Sequence, residues 1–164
     1  YYNNIIQSIL LKTIDNNDIP KYNVETSSDL HKYTKKQYIN INKDDKYKYK
    51  LIHTPKQTVY SSKPHKFQDG YKVFISTTDK YSTLIDNCGM TQSIAFIKCS
   101  NKKESIKIKN IIDHNLYVFI NNICRWGNFN NIRILQRFPI PNKKNIYESF
   151  NITDDEIMFI ENNI

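Results

Sequence analysis

The residues best suited to chemistry lie together in one short segment, ICRWGNFNNIRIL, which spans residues 123–135. The segment holds the only tryptophan of the chain, Trp126, one of its three glycines, Gly127, and two of its three arginines, Arg125 and Arg133. Arginine and asparagine side chains can make paired hydrogen bonds to the edges of DNA bases, and an aromatic ring can stack on an exposed base. The segment therefore has the residue types that nucleic-acid recognition requires.

The same segment also has a purely structural interpretation. Spacing alone favours Trp126 and Phe129 as core residues rather than as rings that stack on bases. For Arg125, Asn128 and Asn130 two interpretations stay open, namely contacts to DNA and simple solvation in a loop. The sequence does not choose between them.

The charge of the chain is strongly positive and unevenly distributed. The formal net charge is +8, and residues 31–80 hold 12 lysines against four acidic residues. Asn, Ile, Lys and Tyr make up 80 of the 164 residues, and A/T-rich codons encode all four, so lysine content alone is weak support for a polyanion partner. The uneven distribution is better support. We expect phosphate contacts from five lysines, Lys35, Lys36, Lys46, Lys48 and Lys56.

The sequence lacks the motifs of common enzyme sites. Its nearest pair of glycines is Gly70 and Gly89, so it has no Gly-rich phosphate loop, and it has no HxxxH pair or clustered facing carboxylates. Cys88, Cys99 and Cys124 form no CxxC pair, which predicts free thiols in a reducing, cytoplasmic compartment. We expect no catalytic residue, no bound metal, no cofactor in this chain and no membrane span.

Strands and helices are predicted from apolar periodicity and from residues that break or cap helices. A leading helix falls within residues 1–20, and a basic, irregular stretch follows over residues 26–46. The predicted strands are at residues 47–54, 58–62, 71–78 and 90–99. Two helices are predicted within residues 101–124, the first capped by Ser100 and the second ended by Gly127, and a capping box from Thr153 to Glu156 opens a last helix over residues 153–163.

These elements predict one α+β domain over residues 1–164. A mixed or mainly antiparallel sheet is expected over residues 47–98, with helices flanking it. The lysine-rich loops and the Arg125 segment are expected to share one concave, positively charged side.

The order of several segments carries a family resemblance. They are YKVFIST, GMTQSIAFI, CRWGNF, RFPIPN and FNITDDEI, all within residues 47–164. In this order they resemble the C-terminal target-recognition region of adenine-specific DNA methylases of the restriction–modification type, including viral relatives. The matching positions are Gly89, Thr91 and Gln92 in one segment and Arg125 to Phe129 in another.

The resemblance implies a fragment that reads double-stranded DNA without doing chemistry. Gln92 joins the candidate DNA contacts on this ground. A methyltransferase catalytic domain, upstream or on a partner, would bind S-adenosylmethionine and methylate an extruded adenine. The Asn-Pro-Pro-aromatic motif of that domain does not occur in this sequence, and because the chain begins at Tyr1 rather than Met we expect it to be cut from a longer protein.

Two other functions remain open at this point. The chain could be a protein-interaction module that docks on a partner enzyme through its basic loop. A weaker hypothesis is a small metal-dependent nuclease, for which Asp69 and Lys72 are a poor approximation to the required carboxylates and lysine.

Overall fold

The computed structural model describes residues 3–164 as an α+β domain with two sheets. Tyr1 and Tyr2, which the predicted leading helix includes, lie outside the described residues. The helices are α1 (Asn4–Lys12), α2 (Lys102–Ile112), α3 (Asn115–Ile123), α4 (Ile132–Leu135), α5 (Ile146–Ser149) and α6 (Asp154–Glu161). The strands are β1 (Ile39–Asn40), β2 (Tyr49–Thr54), β3 (Gln57–Ser61), β4 (Lys72–Ser76), β5 (Thr83–Asp86), β6 (Gly89–Met90) and β7 (Ile94–Lys98). The predicted fold class is confirmed.

The strands form two sheets where the sequence predicted one. The first sheet has the order β1-β3-β2-β6, with β6 parallel to β2, and the second has the antiparallel order β5-β4-β7. The predicted strand at 90–99 is divided because Met90 pairs in the first sheet while Ile94 begins β7 in the second. Gly89 permits this close approach, since a Cβ there would lie 2.8 Å from both Leu51 Cδ2 and His65 Cβ.

The central strand of the second sheet, β4, is buried on both faces. Val73 and Ile75 of β4 belong to the larger core, which the helices complete. Phe74, between them, points to the other side and packs with Ile52 and Met90 of the first sheet. This alternation follows from the two-residue period of a strand, and the β-branched and aromatic composition of β4 suits a position between two packed layers.

The helix ends are set by asparagine, histidine and threonine caps. Asn3 caps α1, and Asn101 caps α2, one residue after the predicted Ser100. The capping box of Thr153 and Glu156 opens α6 as predicted. Gly127 was wrongly predicted to end α3, because this helix ends at Ile123, where the backbone N–H of Cys124 donates to Ile120 O and Asn121 O.

A polar segment (residues 26–46) covers the outer face of the first sheet. Leu30 packs on Leu51 and Val59, and the ring of Tyr33 lies 6.4 Å from that of His53. Apart from a 3-10 turn at Lys36–Tyr38 and the short β1, the segment has no regular structure, as its weak periodicity indicates. It carries three of the predicted phosphate-contacting lysines, Lys35, Lys36 and Lys46.

Within residues 3–164, none of the helices is both long enough and apolar enough to cross a membrane.

Candidate nucleic-acid interface

Within residues 123–135 the chain forms a tight turn, here called the aromatic turn (residues 125–130). The backbone N–H of Trp126 donates to Phe129 O at 3.2 Å, and the N–H of Phe129 donates to Trp126 O at 3.1 Å. Gly127, the first central residue, has a φ of +61°, whereas Asn128 has a negative φ. This pattern is that of a type II′ turn, in which the first central position favours glycine.

The aromatic turn is fastened to the loop that follows β4. The N–H of Asn130 donates to Thr77 O at 2.9 Å, and the N–H of Asp79 donates to Asn128 O at 2.8 Å. The guanidinium of Arg125 donates to Asp79 O at 2.7 Å. These bonds join residues about fifty positions apart in the sequence, so the turn is held by the tertiary fold rather than by local contacts.

Asn130 is a structural residue of this turn and not an exposed DNA contact. Its side chain is 4 % exposed, and its Nδ2 donates to Ser76 O at 2.8 Å and to Ser76 Oγ at 3.1 Å. Its Oδ1 accepts from Asn121 Nδ2 at 3.1 Å. The prediction that Asn130 contacts DNA is therefore corrected, because all of these bonds would have to break for its amide to reach a base.

The two aromatic rings of the turn are exposed, which overturns their predicted place in the core. Trp126 is 82 % exposed and Phe129 is 62 % exposed. The physical reason is that Tyr117, Phe119 and Ile120 of α3 already fill the core beside the helix, and the chain turns outward after the helix ends. The rings line an open cleft of about 520 Å³ together with residues 130–133.

Unpaired cations surround the aromatic turn. Arg133 lines the same cleft as the two rings. Lys56 and Lys80 line an adjoining depression of about 150 Å³, of which Asp79 is also part. Among residues 3–164, none of these three cationic side chains has a hydrogen-bonded or ion-paired partner, and the Asn128 side chain also lacks one. Lys80 was missed by the sequence analysis, because only the fold brings its loop beside the turn.

The predicted lysines Lys36, Lys46 and Lys48 lie elsewhere, at the end of the first sheet where β2 begins. Lys46 and Lys48 belong to the lysine loop (residues 41–48), and their ammonium groups lie 5.2 and 5.5 Å from the rings of Tyr47 and Tyr49. Tyr47 OH donates to Gln37 O at 3.4 Å, which brings Lys36 and its neighbour Lys35 to the same end.

The predicted basic residues therefore form two groups rather than one. Lys56 follows the last residue of β2, and it lies beside the loop that holds Arg125 and Asn128. The lysine loop precedes the first residue of the same strand. The length of six residues puts the two ends of β2 about 17 Å apart. These groups are therefore separated along β2, and the expectation that they share one concave, positively charged side stays a prediction.

The polar residues of the GMTQ segment serve the fold. Gln92 Oε1 accepts from Lys32 N at 2.9 Å, and its Nε2 donates to Ser93 Oγ at 3.0 Å. The buried hydroxyl of Thr91 lies 2.7 Å from Nδ1 of His53. Gln92 thus joins the polar segment to the chain between the sheets, and its side chain is only partly accessible.

A buried Ser–His pair resembles a nucleophile and base but has the wrong proton arrangement. His65 Nδ1 accepts from Phe67 N at 2.9 Å, so in the neutral ring the proton is on Nε2. Nε2 then donates to Ser27 Oγ at 3.1 Å, whereas a general base would have to accept from it. Burial lowers the pKa of His65 to about 4, and the pair is best explained as a structural contact.

The other groups that chemistry would need are also enclosed or dispersed. The Lys72 ammonium, 1 % exposed as a residue, donates to the backbone carbonyls of Asp69, Gly70 and Cys88, and burial lowers its pKa. It is therefore inaccessible to a nuclease substrate. Within residues 3–164, no group of three or more His, Cys, Asp or Glu side chains is placed to hold a metal ion.

No protein-family model, no curated protein and no solved structure matches this chain.

Proposed function

We propose that this chain is a DNA-binding target-recognition domain of a site-specific adenine DNA methyltransferase or of a fused restriction–modification enzyme. In this proposal it does no chemistry itself, and the S-adenosylmethionine-dependent catalytic domain lies outside the chain. The observation that supports DNA binding is that exposed, unpaired cations lie at both ends of the β2–β3 hairpin. They are Lys56 at one end and Lys36, Lys46 and Lys48 at the other. The adenine-methylase part rests on the resemblance in segment order alone.

The five predicted lysines are available to phosphates without a loss of internal ion pairs. All five are exposed, and within residues 3–164 none is paired with a carboxylate. The basic side chains whose ammonium or guanidinium is ion-paired are different ones, namely Lys12, Lys50, Lys98, Lys109 and Arg137. Binding of phosphates by unpaired lysines releases counterions from DNA at little cost to the protein.

The spacing of the two cationic groups suits one duplex. The two ends of β2 are about 17 Å apart, which is about half of a helical turn of B-DNA. We propose that the lysine loop and the group around Lys56 contact phosphates of the same duplex at two separate places along it.

Salt dependence of binding tests this proposal. Fluorescence anisotropy of a labelled duplex should give micromolar affinity that falls steeply as salt is raised. The double variant Lys35→Gln/Lys36→Gln should reduce the slope of log K against log salt by about 2, because each phosphate contact contributes about 0.9.

A second exposed lysine pair offers a matched control. Lys143 and Lys144 lie in the loop before α5, against α2 and away from the first sheet. The variant Lys143→Gln/Lys144→Gln has the same charge change and should leave the slope close to that of the unchanged protein. Equal slopes for both variants would contradict the proposed interface, and salt-insensitive binding would contradict DNA binding through phosphates.

The methylase part has a separate test. The gene on the 5′ side of the Tyr1 codon, or the gene of a co-purified partner, should encode an Asn-Pro-Pro-aromatic motif after a Gly-rich loop. A gene that encodes neither, in a strain whose DNA lacks methyladenine, would contradict it while leaving DNA binding in place.

A protein-interaction module is the second candidate, and the exposed Trp126 and Phe129 favour it. Large aromatic residues are enriched at the energetic centres of protein interfaces. An acidic partner protein that binds equally well in the presence of excess DNA would support this candidate over the first.

A further inference from the structure

We infer that the aromatic turn is a stacking site for an unpaired or extruded nucleobase of the bound DNA. This inference rests on the proposed function and adds to it the chemical class that the turn would take, a flat base with a phosphate beside it. The inference is supported by three features that lie together. Two aromatic rings are exposed, the backbone that carries them is held by hydrogen bonds, and unpaired cations lie on either side.

The rings are exposed but the backbone beneath them is fixed. The cross-turn bonds of Trp126 and Phe129, with those from the turn to Thr77 and Asp79, constrain the main chain. The buried amide of Asn130 adds three bonds to Ser76 and Asn121. Ligand binding therefore has to order little more than two side chains with few rotamers, which favours stacking.

The polar groups around the rings match a nucleotide. Arg133 lines the cleft with the rings, and Lys56 and Lys80 lie beyond the Asp79 loop, so positive charge flanks the stacking surface. The exposed amide of Asn128 has both a donor and an acceptor to offer to a base edge. Asp79 is the one carboxylate in the adjoining depression, so phosphates meet a net positive surface there.

An unpaired base is the occupant that the exposed rings favour. In a continuous duplex the faces of each base are covered by its neighbours, and only the edges are available in the grooves. The two rings of the turn can gain a face-to-face contact only where a base is bulged, unstacked or extruded. A protein partner would bury the same rings, but it would leave the surrounding cations without matching charge unless it were acidic.

Trp126 is the only tryptophan in the chain, so its fluorescence reports directly on this site. Two labelled duplexes that differ by one bulged adenine are titrated with the whole chain. Anisotropy of the label measures binding, and the emission of Trp126 measures stacking. We expect about tenfold tighter binding of the bulged duplex, the contribution of one stacked base, with quenching of Trp126 only by that duplex.

Variants of Trp126 separate stacking from burial of apolar surface. Trp126→Phe keeps a ring and should retain most of the preference for the bulged duplex by anisotropy. Trp126→Leu keeps apolar bulk but leaves only the ring of Phe129, and it should lose most of the preference for the bulged duplex. Because the side chain is 82 % exposed, neither variant should shift the urea midpoint, which serves as the control for folding.

The outcomes distinguish failure of the stacking site from failure of the proposed DNA binding. Binding of both duplexes with equal affinity and unchanged Trp126 emission would overturn the stacking site and leave DNA binding intact. Indistinguishable preferences of the Phe and Leu variants would likewise overturn stacking, in favour of a general apolar surface. Absence of binding to either duplex at low salt would overturn the proposed function, and the stacking site with it.

Discussion

The aromatic turn and the lysine loop lie at opposite ends of β2 and are built in opposite ways. The turn is held by bonds to residues far away in the sequence, such as Asn130 N to Thr77 O. The lysine loop is held mainly by its own residues, because Asp44 Oδ1 accepts from the N–H groups of Lys46 and Tyr47 at 2.9 and 2.6 Å. One region fixes the backbone that carries its side chains, and the other presents long, exposed cations.

This difference distinguishes two functions, attraction to phosphates and recognition of a base, that composition alone does not distinguish. An exposed lysine is sufficient for attraction to phosphates, which depends on charge and little on orientation. Recognition of a base needs a ring or amide at a fixed position. The chain therefore has one region suited to attraction and another suited to positioning, and the following predictions test that assignment.

The largest effect is expected on acidification. His65 follows the lysine-loop end of β3, and its pKa is lowered to about 4 from an ordinary value near 6.5, chiefly by burial. The unfolded chain therefore binds a proton that the folded chain excludes. Stability should be full above pH 6.5 and should fall by up to about 3 kcal/mol between pH 6.5 and 4.

Urea unfolding at a series of pH values measures this loss. His53 and His114 also have lowered pKa values and contribute to the loss of stability in the same direction. The variant His65→Gln therefore isolates the contribution of His65. The variant should lose less stability over this interval than the unchanged chain. The same pH dependence in both proteins would show that His65 does not carry the effect.

Removal of the buried amide of Asn130 should be the next largest change. Asn130→Ala leaves Ser76 O and Asn121 Nδ2 without their partner, and we expect a loss of about 2 kcal/mol in the free energy of unfolding. Asn128→Ala, two residues away and exposed, is the matched control and should be nearly neutral. Similar losses in the two variants would mean that the turn is not anchored through Asn130.

A smaller loss is expected from Gly127→Ala. The φ of Gly127 is +61°, which disfavours residues with a Cβ, although nothing lies within 4 Å of a Cβ placed there. The cost is therefore conformational and amounts to about 1 kcal/mol. Gly127→Asn should cost less, because asparagine tolerates this conformation better. An alanine variant that equals the unchanged chain in urea unfolding would contradict the turn type.

The smallest effect on stability is expected in the lysine loop. Lys46→Gln/Lys48→Gln should change the free energy of unfolding by less than about 0.5 kcal/mol, because both side chains are exposed and unpaired with carboxylates. It should nevertheless weaken duplex binding at low salt as much as Lys35→Gln/Lys36→Gln does. A large loss of stability would mean that the loop has a structural role that its local contacts do not indicate.

Much of the fold is accessible from periodicity and caps, but the candidate site is accessible only in part. The β4 strand and the Thr153 capping box follow from local sequence, and both occur as predicted. The exposure of Trp126 does not, because the sequence cannot say that α3 already fills the core beneath it. The burial of Asn130 depends on Ser76, 54 residues away, and no local pattern contains such a partner.

The two sheets also went unpredicted for a physical reason. Residues 90–99 have the composition of one strand, yet Met90 and Ile94 belong to different sheets. What divides them is the competition between two sets of hydrogen-bonding partners, and those partners are distant in the sequence. The sequence did not predict Lys80 for the same reason, because its loop meets the aromatic turn only in the folded chain.

The short β6 strand has a consequence for how the domain is assembled. It closes the first sheet by pairing in parallel with β2, although three strands lie between them in the chain, and the next residues pass directly into the second sheet. The three strands β1, β3 and β2 therefore lack the last partner of their sheet until the chain through residue 90 has been synthesised and placed. We expect folding to be slow for a domain of this size, governed by long-range contacts, and the two sheets to unfold together as a single cooperative unit.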